Sequence, residues 1–371
     1  MKKKVLFVIH DLGQGGAEKV LVNLVNNMDR SKFDITVMAL FGGGVNEQFL
    51  SKDIRLITCH KRAFPGNSHL MKLFNPGLLY RYYVREHYDI VISYLEGPSA
   101  RIVSGCPKED TRLVSWIHCT MDTPQKASRS FRSITEAQRC YNRFDRLIFV
   151  SEGVKHAFRN ACPVTVPCAV LYNTNETDKI LAASRETAEA SIFAAGAFRM
   201  CGIGKLTQNK GFDRLLRIHK KLRSDGYPIH TYILGEGEER ESLMKYITEN
   251  GIADSVMLMG YQTNPYQFVR NCHLYVCTSH AEGFSTAATE ALIVGTPVCT
   301  VEVSGMKEML GAHNEWGIVT SNDEDALYEG IRRLLDTPGL LDHYRKQALI
   351  RSETFKTENT VRAVEDMLLY L

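Results

Sequence analysis

The sequence lacks the features that would place it across a membrane, around a zinc ion or in a disulfide framework. No apolar run in its 371 residues approaches the roughly 18 residues that a membrane-spanning helix needs. Its ten cysteines form no Cys-x-x-Cys pair and do not cluster with histidine, so neither a zinc site nor a set of disulfides is indicated. Free cysteines are typical of a reducing compartment, and we therefore expect a cytoplasmic protein.

The start of the chain has too little apolar sequence for an export signal. Lysines at positions 2–4 precede an apolar run at 5–9, which His10 and Asp11 interrupt. An export signal has an apolar region of roughly 7–15 residues. We expect residues 5–9 to form a buried strand instead. Sequence repeats with a period of roughly 20–50 residues and low-complexity segments are also missing.

Length and composition predict a soluble protein of two domains. A chain of 371 residues is too long for one ordinary core, and its 44% hydrophobic and 23% charged residues are typical of globular proteins. The net charge of +3 hides an asymmetry, because residues 1–172 carry a balance of +9 and residues 173–371 a balance of −6. A basic half suits an anionic membrane surface or a phosphate-bearing acceptor. An ordinary solvated charged face explains it equally well.

The order of apolar segments predicts parallel sheets covered by helices. A strand at 5–9, a glycine turn at 13–16, a helix at 17–28 and a strand at 35–40 follow one another, and the second half repeats this alternation. We therefore predict two Rossmann-like domains, with ligands at the carboxyl ends of the strands. The remaining predicted elements are strands at 90–94, 113–117, 147–150, 229–234, 256–259, 274–278 and 298–301, a helix at 239–250, a polar link near 174–191 and a helix within 357–371.

The most informative segment is a loop that opens into a helix at residues 279–292. A glycine and small hydroxyl residues precede an alanine-rich run, and free amides at such a helix start bind anions such as a diphosphate. Glu282 lies in the loop and Glu290 lies two turns into the helix, so both carboxylates suit sugar hydroxyls. Either glutamate alone is more simply explained as a surface charge.

The spacing of these glutamates resembles a known family signature. Seven residues separate Glu282 from Glu290, Gly283-Phe284 lies between them, and Gly295-Thr296-Pro297-Val298 follows. The segment is similar to the signature of family 4 retaining glycosyltransferases, which have the GT-B fold of two Rossmann-like domains facing across a cleft. Further segments in the order of that family are Gly15-Gly16-Ala17-Glu18, residues 204–212, residues 234–240, Gly260-Tyr261 and Asn264-Pro265-Tyr266.

The resemblance implies a role for each matching residue. Glu290 would bind the ribose of a nucleotide sugar, and Glu282 would bind hydroxyls of the transferred sugar. Lys205 and Lys210 would neutralise the departing diphosphate, where negative charge builds as the bond breaks. These cations would replace a metal ion, so no metal and no cofactor is expected. The other implied donor-binding residues are Gly15, Gly16, Gly204, Gly235, Gly237, Tyr261, Gly283, Phe284, Ser285 and Thr286.

Lys205 departs from the family pattern, which usually has arginine at this position. A lysine supplies a point charge and not a two-pronged donor, so the diphosphate would be held differently. Arg199 lies nearby in sequence as a possible substitute cation, and Lys210 is unaffected by the change.

Two features of the N-terminal half have competing explanations. Gly13 and Gly15 begin a dinucleotide-type GxGxxG pattern, but Glu18 occupies its third glycine position, which favours a glycosyltransferase loop or a simple tight turn. His118 ends a predicted strand, and the family resemblance places a histidine here against the donor sugar or the reacting centre. A lone histidine is otherwise more often structural. We predict catalytic roles for His118, Lys205, Lys210 and Glu282.

The segment 60–87 mixes basic and aromatic residues. This pattern is typical of a patch that contacts lipid headgroups. An ordinary packed helix with a charged outer face is the alternative. No nucleic-acid-binding motif accompanies the segment, so we expect no nucleic-acid partner.

Taken with the resemblance, these features predict a retaining, metal-independent hexosyltransferase. Residues 1–175, with a helix returning near 357–371, would bind the acceptor, and residues 190–356 would bind the donor. The donor would be a nucleotide diphosphate sugar, UDP-linked, carrying a hexose or N-acetylhexosamine. The acceptor would be a glycan or polyprenyl-linked glycan of bacterial surface polysaccharide synthesis, at the inner face of the plasma membrane. The alternatives are a synthase with a small soluble sugar or sugar-phosphate acceptor and a non-catalytic nucleotide-sugar-binding partner of another transferase.

Overall fold

A computed structural model describes residues 2–63, 66–186, 193 and 196–371. The chain divides into two compact units, which we call the N-terminal unit (Met1–Asn175 with Thr357–Leu371) and the C-terminal unit (Glu176–Lys356). Within the described residues, no helix is both long and apolar enough to span a membrane.

The N-terminal unit is built on a parallel sheet. The described residues give it seven strands in the order β3-β2-β1-β4-β5-β6-β7. The central strands are continuous apolar runs, because a parallel sheet is covered by helices on both faces. The strands are β1 Lys3–Ile9, β2 Phe33–Phe41, β3 Arg55–His60, β4 Ile90–Ser93, β5 Arg112–Ile117, β6 Arg146–Phe149 and β7 Cys168–Val170.

The helices of this unit begin where the sequence supplies caps. The side chains of Asn75, Thr123, Ser133 and Ser151 each accept a hydrogen bond from a backbone amide in the first turn of the following helix. The helices between the strands are α1 Gly16–Asn27, α2 Asn67–Met71, α3 Pro76–Tyr83, α4 Pro98–Val103, α5 Pro124–Ala127, α6 Ile134–Tyr141 and α7 Glu152–Ala161.

The C-terminal unit repeats the same architecture. In the part of it that the structure describes, six parallel strands follow the order β10-β9-β8-β11-β12-β13. The strands are β8 Phe198–Ile203, β9 Ile229–Leu234, β10 Val256–Gly260, β11 Leu274–Cys277, β12 Val298–Val301 and β13 Ile318–Thr320. The helices are α8 Thr177–Ser184, α9 Phe212–Ser224, α10 Arg240–Glu249, α11 Tyr266–Asn271, α12 Thr286–Ile293, α13 Met306–Leu310, α14 Glu324–Asp336 and α15 Leu340–Ser352.

The last helix, α16 (Thr357–Leu369), packs in the N-terminal unit. Its apolar residues Val361, Val364, Met367 and Leu368 are buried. Lys3 Nζ donates to the Leu368 carbonyl at 2.9 Å, and Glu365 Oε1 accepts from the backbone amide of Asp29 at 2.5 Å. The expected return of a C-terminal helix is therefore confirmed.

Two Rossmann-like domains are confirmed, because both sheets have the strand order of that fold. The predicted strands at 229–234 and 298–301 match their observed bounds. Sequence patterns missed β3, β7, β8 and β13, which are short or interrupted by polar residues and glycine. The segment expected to be a plain link contains helix α8 of the C-terminal unit, and residues 187–192 lie outside the described residues.

Candidate functional site

The C-terminal unit has a topological switch point between β8 and β11. These strands are neighbours, and the chain leaves them toward opposite edges of the sheet. Loops at the carboxyl ends of such strands form the crevice where ligands bind in doubly wound folds. The loops here are residues 204–211, after β8, and residues 278–285, after β11. The switch point therefore brings together two of the predicted donor-site segments.

An ion pair joins the two loops. Lys210 Nζ lies 2.5 Å from Glu282 Oε1, and the same oxygen accepts a hydrogen bond from Ser279 Oγ at 2.6 Å. The side chains of Lys210 and Glu282 are 27% and 12% exposed, so the pair is largely shielded but still reaches the surface. Two of the four predicted catalytic residues thus meet, and Ser279 is a third member of the cluster that sequence reasoning missed.

Backbone contacts fix Lys210 in this position. The amide of His280 donates to the Asn209 carbonyl at 2.7 Å, and Thr278 Oγ1 donates to the Lys210 carbonyl at 2.8 Å. Gly211 has φ +63°, and a Cβ there would lie 2.4 Å from the Thr278 carbonyl oxygen. Gly204 leaves room for Lys210, since a Cβ would lie 3.3 Å from the lysine side chain. These glycines are needed for the close approach of the loops.

The glycines after β9 also serve close packing. A Cβ on Gly235 would lie 1.9 Å from the Gly204 carbonyl oxygen, and a Cβ on Gly237 would lie 2.3 Å from the Leu206 carbonyl oxygen. Their donor-binding role stays a prediction. Tyr261, which follows β10, is 54% exposed and offers an open aromatic face.

Helix α12 begins at the predicted anion site. Ser285 is its N-cap and accepts from the amide of Ala288 at 3.3 Å. The other amides at the start of the helix, including that of Thr286, have no carbonyl acceptor within the helix. Phe284 is buried and its ring lies 5.8 Å from the ring of Phe355, so its side chain belongs to the core. Gly283 lies close to Gly305, since a Cβ on Gly305 would lie 2.8 Å from the carbonyl oxygen of Gly283.

Glu290 is buried inside α12 and is 4% exposed. Its Oε1 accepts a hydrogen bond from the Tyr266 hydroxyl at 3.3 Å. A buried carboxylate with a hydroxyl partner is oriented to accept further hydroxyl hydrogen bonds. Tyr266 belongs to the Asn264-Pro265-Tyr266 motif, and the motif was the signal that could have identified this contact.

The two other cations considered for the diphosphate differ in position. Lys205 lies two residues after the end of β8, is exposed, and its side-chain ammonium makes no hydrogen bond or ion pair with any described residue. Arg199 does not substitute for it. Arg199 lies at the amino end of β8, opposite the switch point, and its Nε donates to the Asn271 carbonyl at 2.8 Å.

The N-terminal unit has its own switch point, between β1 and β4. His10 and Asp11 follow β1, and His10 Nδ1 lies 2.6 Å from Asp11 Oδ2. The hydrogen bond raises the pKa of His10 and lowers that of Asp11. Burial raises the pKa of Glu18, which has Asp11 and Glu96 as like-charged neighbours. Sequence reasoning missed this acidic cluster, although polar residues directly after an apolar strand were its signal.

Gly15 and Gly16 lie exposed at the start of α1. A Cβ on Gly15 would lie 1.9 Å from Glu18 Oε2, so the glycine lets the Glu18 carboxylate fold back over the loop. Their donor-binding role stays a prediction, because the contacts seen are with the loop itself.

His118 follows β5 and is buried. Burial lowers its pKa to about 3, against the effect of a hydrogen bond with the Tyr94 backbone. Its amide donates to Glu96 Oε2 at 2.9 Å, whereas Nε2 has no hydrogen-bond partner among the described residues. The imidazole is therefore neutral at physiological pH, and with Nδ1 donating to the Tyr94 carbonyl, Nε2 would be an acceptor. A catalytic role for His118 stays a prediction.

Two family matches cover both halves of the chain. Residues 14–179 match the family described as Glycosyltransferase Family 4, and residues 185–351 match Glycosyl transferases group 1. The chain is a glycosyltransferase with a family 4 domain in its first half and a group 1 domain in its second half. Within the described residues of this glycosyltransferase, no three His, Cys, Asp or Glu side chains form a group that could hold a metal ion.

Two relatives that match nearly the whole chain are named as glycosyltransferases of bacteria. It is 26% identical, over the full length of both chains, to the N-acetylgalactosamine-N,N'-diacetylbacillosaminyl-diphospho-undecaprenol 4-alpha-N-acetylgalactosaminyltransferase of Campylobacter jejuni. It is 21% identical to the amylovoran biosynthesis glycosyltransferase of Erwinia amylovora, over 98% of this chain and 99% of the relative.

Solved structures share its fold. The HepE protein of Anabaena, in complex with UDP and glucose, superposes with a TM-score of 0.80 at 18% identity, over 100% of both chains. Sucrose-phosphate synthase of Thermosynechococcus elongatus superposes with a TM-score of 0.80 at 14% identity, over 100% of this chain and 99% of that one. At these identities the likeness shows the fold alone, which agrees with the predicted GT-B class.

Proposed function

We propose that this glycosyltransferase moves a hexose or N-acetylhexosamine, with retention and without a metal, from a UDP-linked sugar to a glycan or polyprenyl-linked glycan acceptor. The observation that carries the proposal is the Lys210–Glu282 pair at the switch point beside the start of α12. It places a cation, a hydroxyl acceptor and a helix N-terminus within one loop cluster.

Each group in that cluster supports one part of the transfer. The first-turn amides of α12 and the ammonium of Lys210 would hold the diphosphate. The exposed ammonium of Lys205 would help to neutralise the negative charge of the departing diphosphate. Glu282 would accept hydroxyls of the transferred sugar, and Glu290 would accept the ribose hydroxyls. In a retaining transfer the departing phosphate takes the acceptor proton on the same face of the sugar, so a flanking carboxylate pair of the glycosidase type is not needed.

A membrane-borne acceptor is supported by charge and by relatives. Residues 54–85 contain six lysines and arginines and no aspartate or glutamate. A basic surface of this kind is attracted to anionic lipid and to a diphosphate-linked acceptor. The Campylobacter relative is named for a diphospho-undecaprenol acceptor, and the Anabaena neighbour was solved with UDP and glucose. We infer a cytoplasmic enzyme of surface polysaccharide synthesis that associates peripherally with the membrane.

A soluble-acceptor synthase is the second candidate. Sucrose-phosphate synthase has the same fold, so the architecture does not separate the two. The segment 54–85, which is basic and contains no aspartate or glutamate, favours the membrane-borne acceptor. A non-catalytic nucleotide-sugar-binding partner is disfavoured by the intact Lys210–Glu282 pair.

The deciding experiment is a thermal-shift screen of UDP-, GDP- and ADP-linked sugars, followed by transfer assays. A donor at a hundredfold excess over its Kd stabilises the folded protein by about 2.7 kcal/mol. We expect a UDP-sugar to raise Tm most and to label a polyprenyl-diphosphate glycan with retained anomeric configuration, read by NMR. Transfer to free sugars or sugar phosphates alone would favour the synthase. Absence of both stabilisation and transfer would overturn the proposal.

A further inference from the structure

The N-terminal unit exposes a group of large apolar side chains at one corner. We call residues 70–74, which end α2 and lead into α3, the apolar corner. Leu70, Leu73 and Phe74 are 48%, 71% and 48% exposed there. Leu78 and Tyr82 on α3 are also exposed, whereas Met71 within the apolar corner is buried. Exposed apolar groups this close together mark an interaction surface.

Two arginines hold the backbone of the apolar corner. Arg101 donates to the carbonyls of Met71 and Phe74 at 2.8 and 2.7 Å. Arg132 donates to the carbonyls of Lys72 and Leu73 at 2.6 and 2.8 Å. Four successive carbonyls, 71–74, therefore each accept a hydrogen bond from a guanidinium. We call these two side chains the arginine clamp.

Glu136 contacts both arginines of the arginine clamp. Its Oε1 lies 2.9 Å from Arg101 Nη2, and its Oε2 accepts from the amide of Arg132 at 2.5 Å. Burial favours the protonated form of Glu136, but the hydrogen bonds from Arg101 and Arg132 outweigh it and lower its pKa. The ionised carboxylate holds the guanidinium of Arg101 and the backbone amide of Arg132, so both arginines are anchored beside the apolar corner.

The bonds from Arg132 would contribute most to stability if the apolar corner left water. They are exposed in this structure, where water could serve the Lys72 and Leu73 carbonyls as well. Holding a long side chain in place for such bonds has an entropic cost. The bonds become valuable when the corner leaves water, because an unpaired carbonyl is costly in a lipid interior.

The surrounding charge identifies the partner. The apolar corner lies within segment 54–85, which contains no aspartate or glutamate. Exposed basic residues precede and follow the corner in sequence: Lys61, Arg62, Arg81 and Arg85. Cationic side chains around an apolar tip complement an anionic bilayer, where apolar groups enter the acyl boundary and charges stay among headgroups.

We propose that the apolar corner is a preformed wedge that inserts into an anionic lipid bilayer, with the arginine clamp keeping its carbonyls hydrogen-bonded. The inference rests on the proposed function only in that the acceptor is membrane-borne. Leu70, Leu73 and Phe74 are the inserting side chains, and Arg101 and Arg132 are positioning residues.

Insertion is tested with Leu73→Trp and vesicles of phosphatidylglycerol and phosphatidylcholine at a 3:7 ratio. Part of the phosphatidylcholine carries bromine on its acyl chains, which quenches tryptophan inside the bilayer. We expect a blue shift and strong quenching, and much less with phosphatidylcholine alone. Ile350→Trp, on an apolar residue of α15 in the C-terminal unit that is 59% exposed against 71% for Leu73, is the matched control and should stay unquenched. Absence of quenching at residue 73, or equal quenching at both residues, overturns the wedge.

The clamp is tested with Arg132→Gln and Arg129→Gln in the Leu73→Trp background. Both remove one exposed positive charge, but only Arg132 contacts the corner carbonyls. We expect about a fivefold loss of vesicle partitioning from the charge in each case. Arg132→Gln should lose about a further tenfold and show shallower quenching, with Tm in the absence of vesicles unchanged. Equal losses would overturn the clamp.

Donor binding separates this inference from the proposed function. Stabilisation by a UDP-sugar should be unchanged in all these variants. A protein that inserts into vesicles but binds no nucleotide sugar would refute the proposed function and support the wedge. A protein that transfers sugar without inserting would support the function and refute the wedge.

Discussion

Replacing Lys210 by methionine removes the charge at the switch point and keeps the length of the side chain. Lys210 Nζ lies 2.5 Å from Glu282, and Ser279 holds the same carboxylate oxygen at 2.6 Å, so Glu282 should keep its position in the variant. Loss of one preorganised donor for developing charge costs roughly 2.7–4 kcal/mol in the transition state. We therefore expect kcat to fall about 100- to 1,000-fold.

The effect on stability should be smaller. A hydrogen bond between charged groups contributes about 1.5–3 kcal/mol, and the partly exposed Lys210 lies at the lower end of that range. Tm should fall by a few degrees, because about 1 kcal/mol corresponds to roughly 2–4 °C in a domain of this size. Lys245→Met, on a lysine whose side chain is 73% exposed, is the control and should change neither kcat nor Tm appreciably.

The assay is steady-state transfer with the donor varied, repeated for Glu282→Gln and the double variant. If the ammonium stabilises the departing diphosphate, Lys210→Met should lower kcat much more than it weakens donor binding. If Lys210 only orients Glu282, the two single variants and the double variant should be equally slow. Equal losses in kcat and donor affinity would show that Lys210 contributes only uniform binding.

Four further outcomes are expected. Glu290→Gln should raise the donor KM roughly 10- to 100-fold by removing a charged acceptor worth about 1.5–3 kcal/mol, and unchanged nucleotide affinity in the folded variant would contradict this. Lys205→Arg should keep or raise activity, since arginine grips a diphosphate with two donors; a tenfold loss would count against it. Transfer should survive EDTA, and complete loss restored by Mn²⁺ or Mg²⁺ would overturn the metal-free mechanism. Burial lowers the pKa of His118 to about 3 and that of His219 to about 4. Below about pH 6.5 the unfolded chain therefore binds more protons than the folded protein. The free energy of unfolding should fall as the pH is lowered from there toward 4, by up to about 1.4 kcal/mol per pH unit for each histidine. Urea denaturation between pH 4.5 and 7.5 should show this, and His219→Gln should flatten the slope.

Strands were predictable where their own sequence is apolar. β9 and β12 consist mainly of apolar residues, and their bounds agree with the prediction. β8 escaped prediction because it contains Arg199 and Gly202. Gly202 is explained by packing, since a Cβ there would lie 2.9 Å from the Phe212 ring. That reason depends on helix α9 and is invisible in the local sequence.

The candidate site was predictable through resemblance and not through spacing. Lys210 and Glu282 are 72 residues apart, and only the pairing of β8 with β11 brings them together. The acidic cluster of Asp11, Glu18 and Glu96 was missed for the same reason, because it needs β1 and β4 to be neighbours. Sheet order is set by tertiary packing, which a motif search does not contain.

The return of α16 to the N-terminal unit affects the order in which the chain can fold during synthesis. Residues 1–175 leave the ribosome first, but the apolar surface that receives Val364 and Leu368 stays uncovered until residues 357–369 emerge. The C-terminal unit is continuous in sequence and can complete its core earlier. The unit that begins first therefore finishes last. In a chain truncated at residue 356, the apolar surface that receives α16 would be exposed and prone to aggregation, whereas the sheet of the C-terminal unit would stay intact.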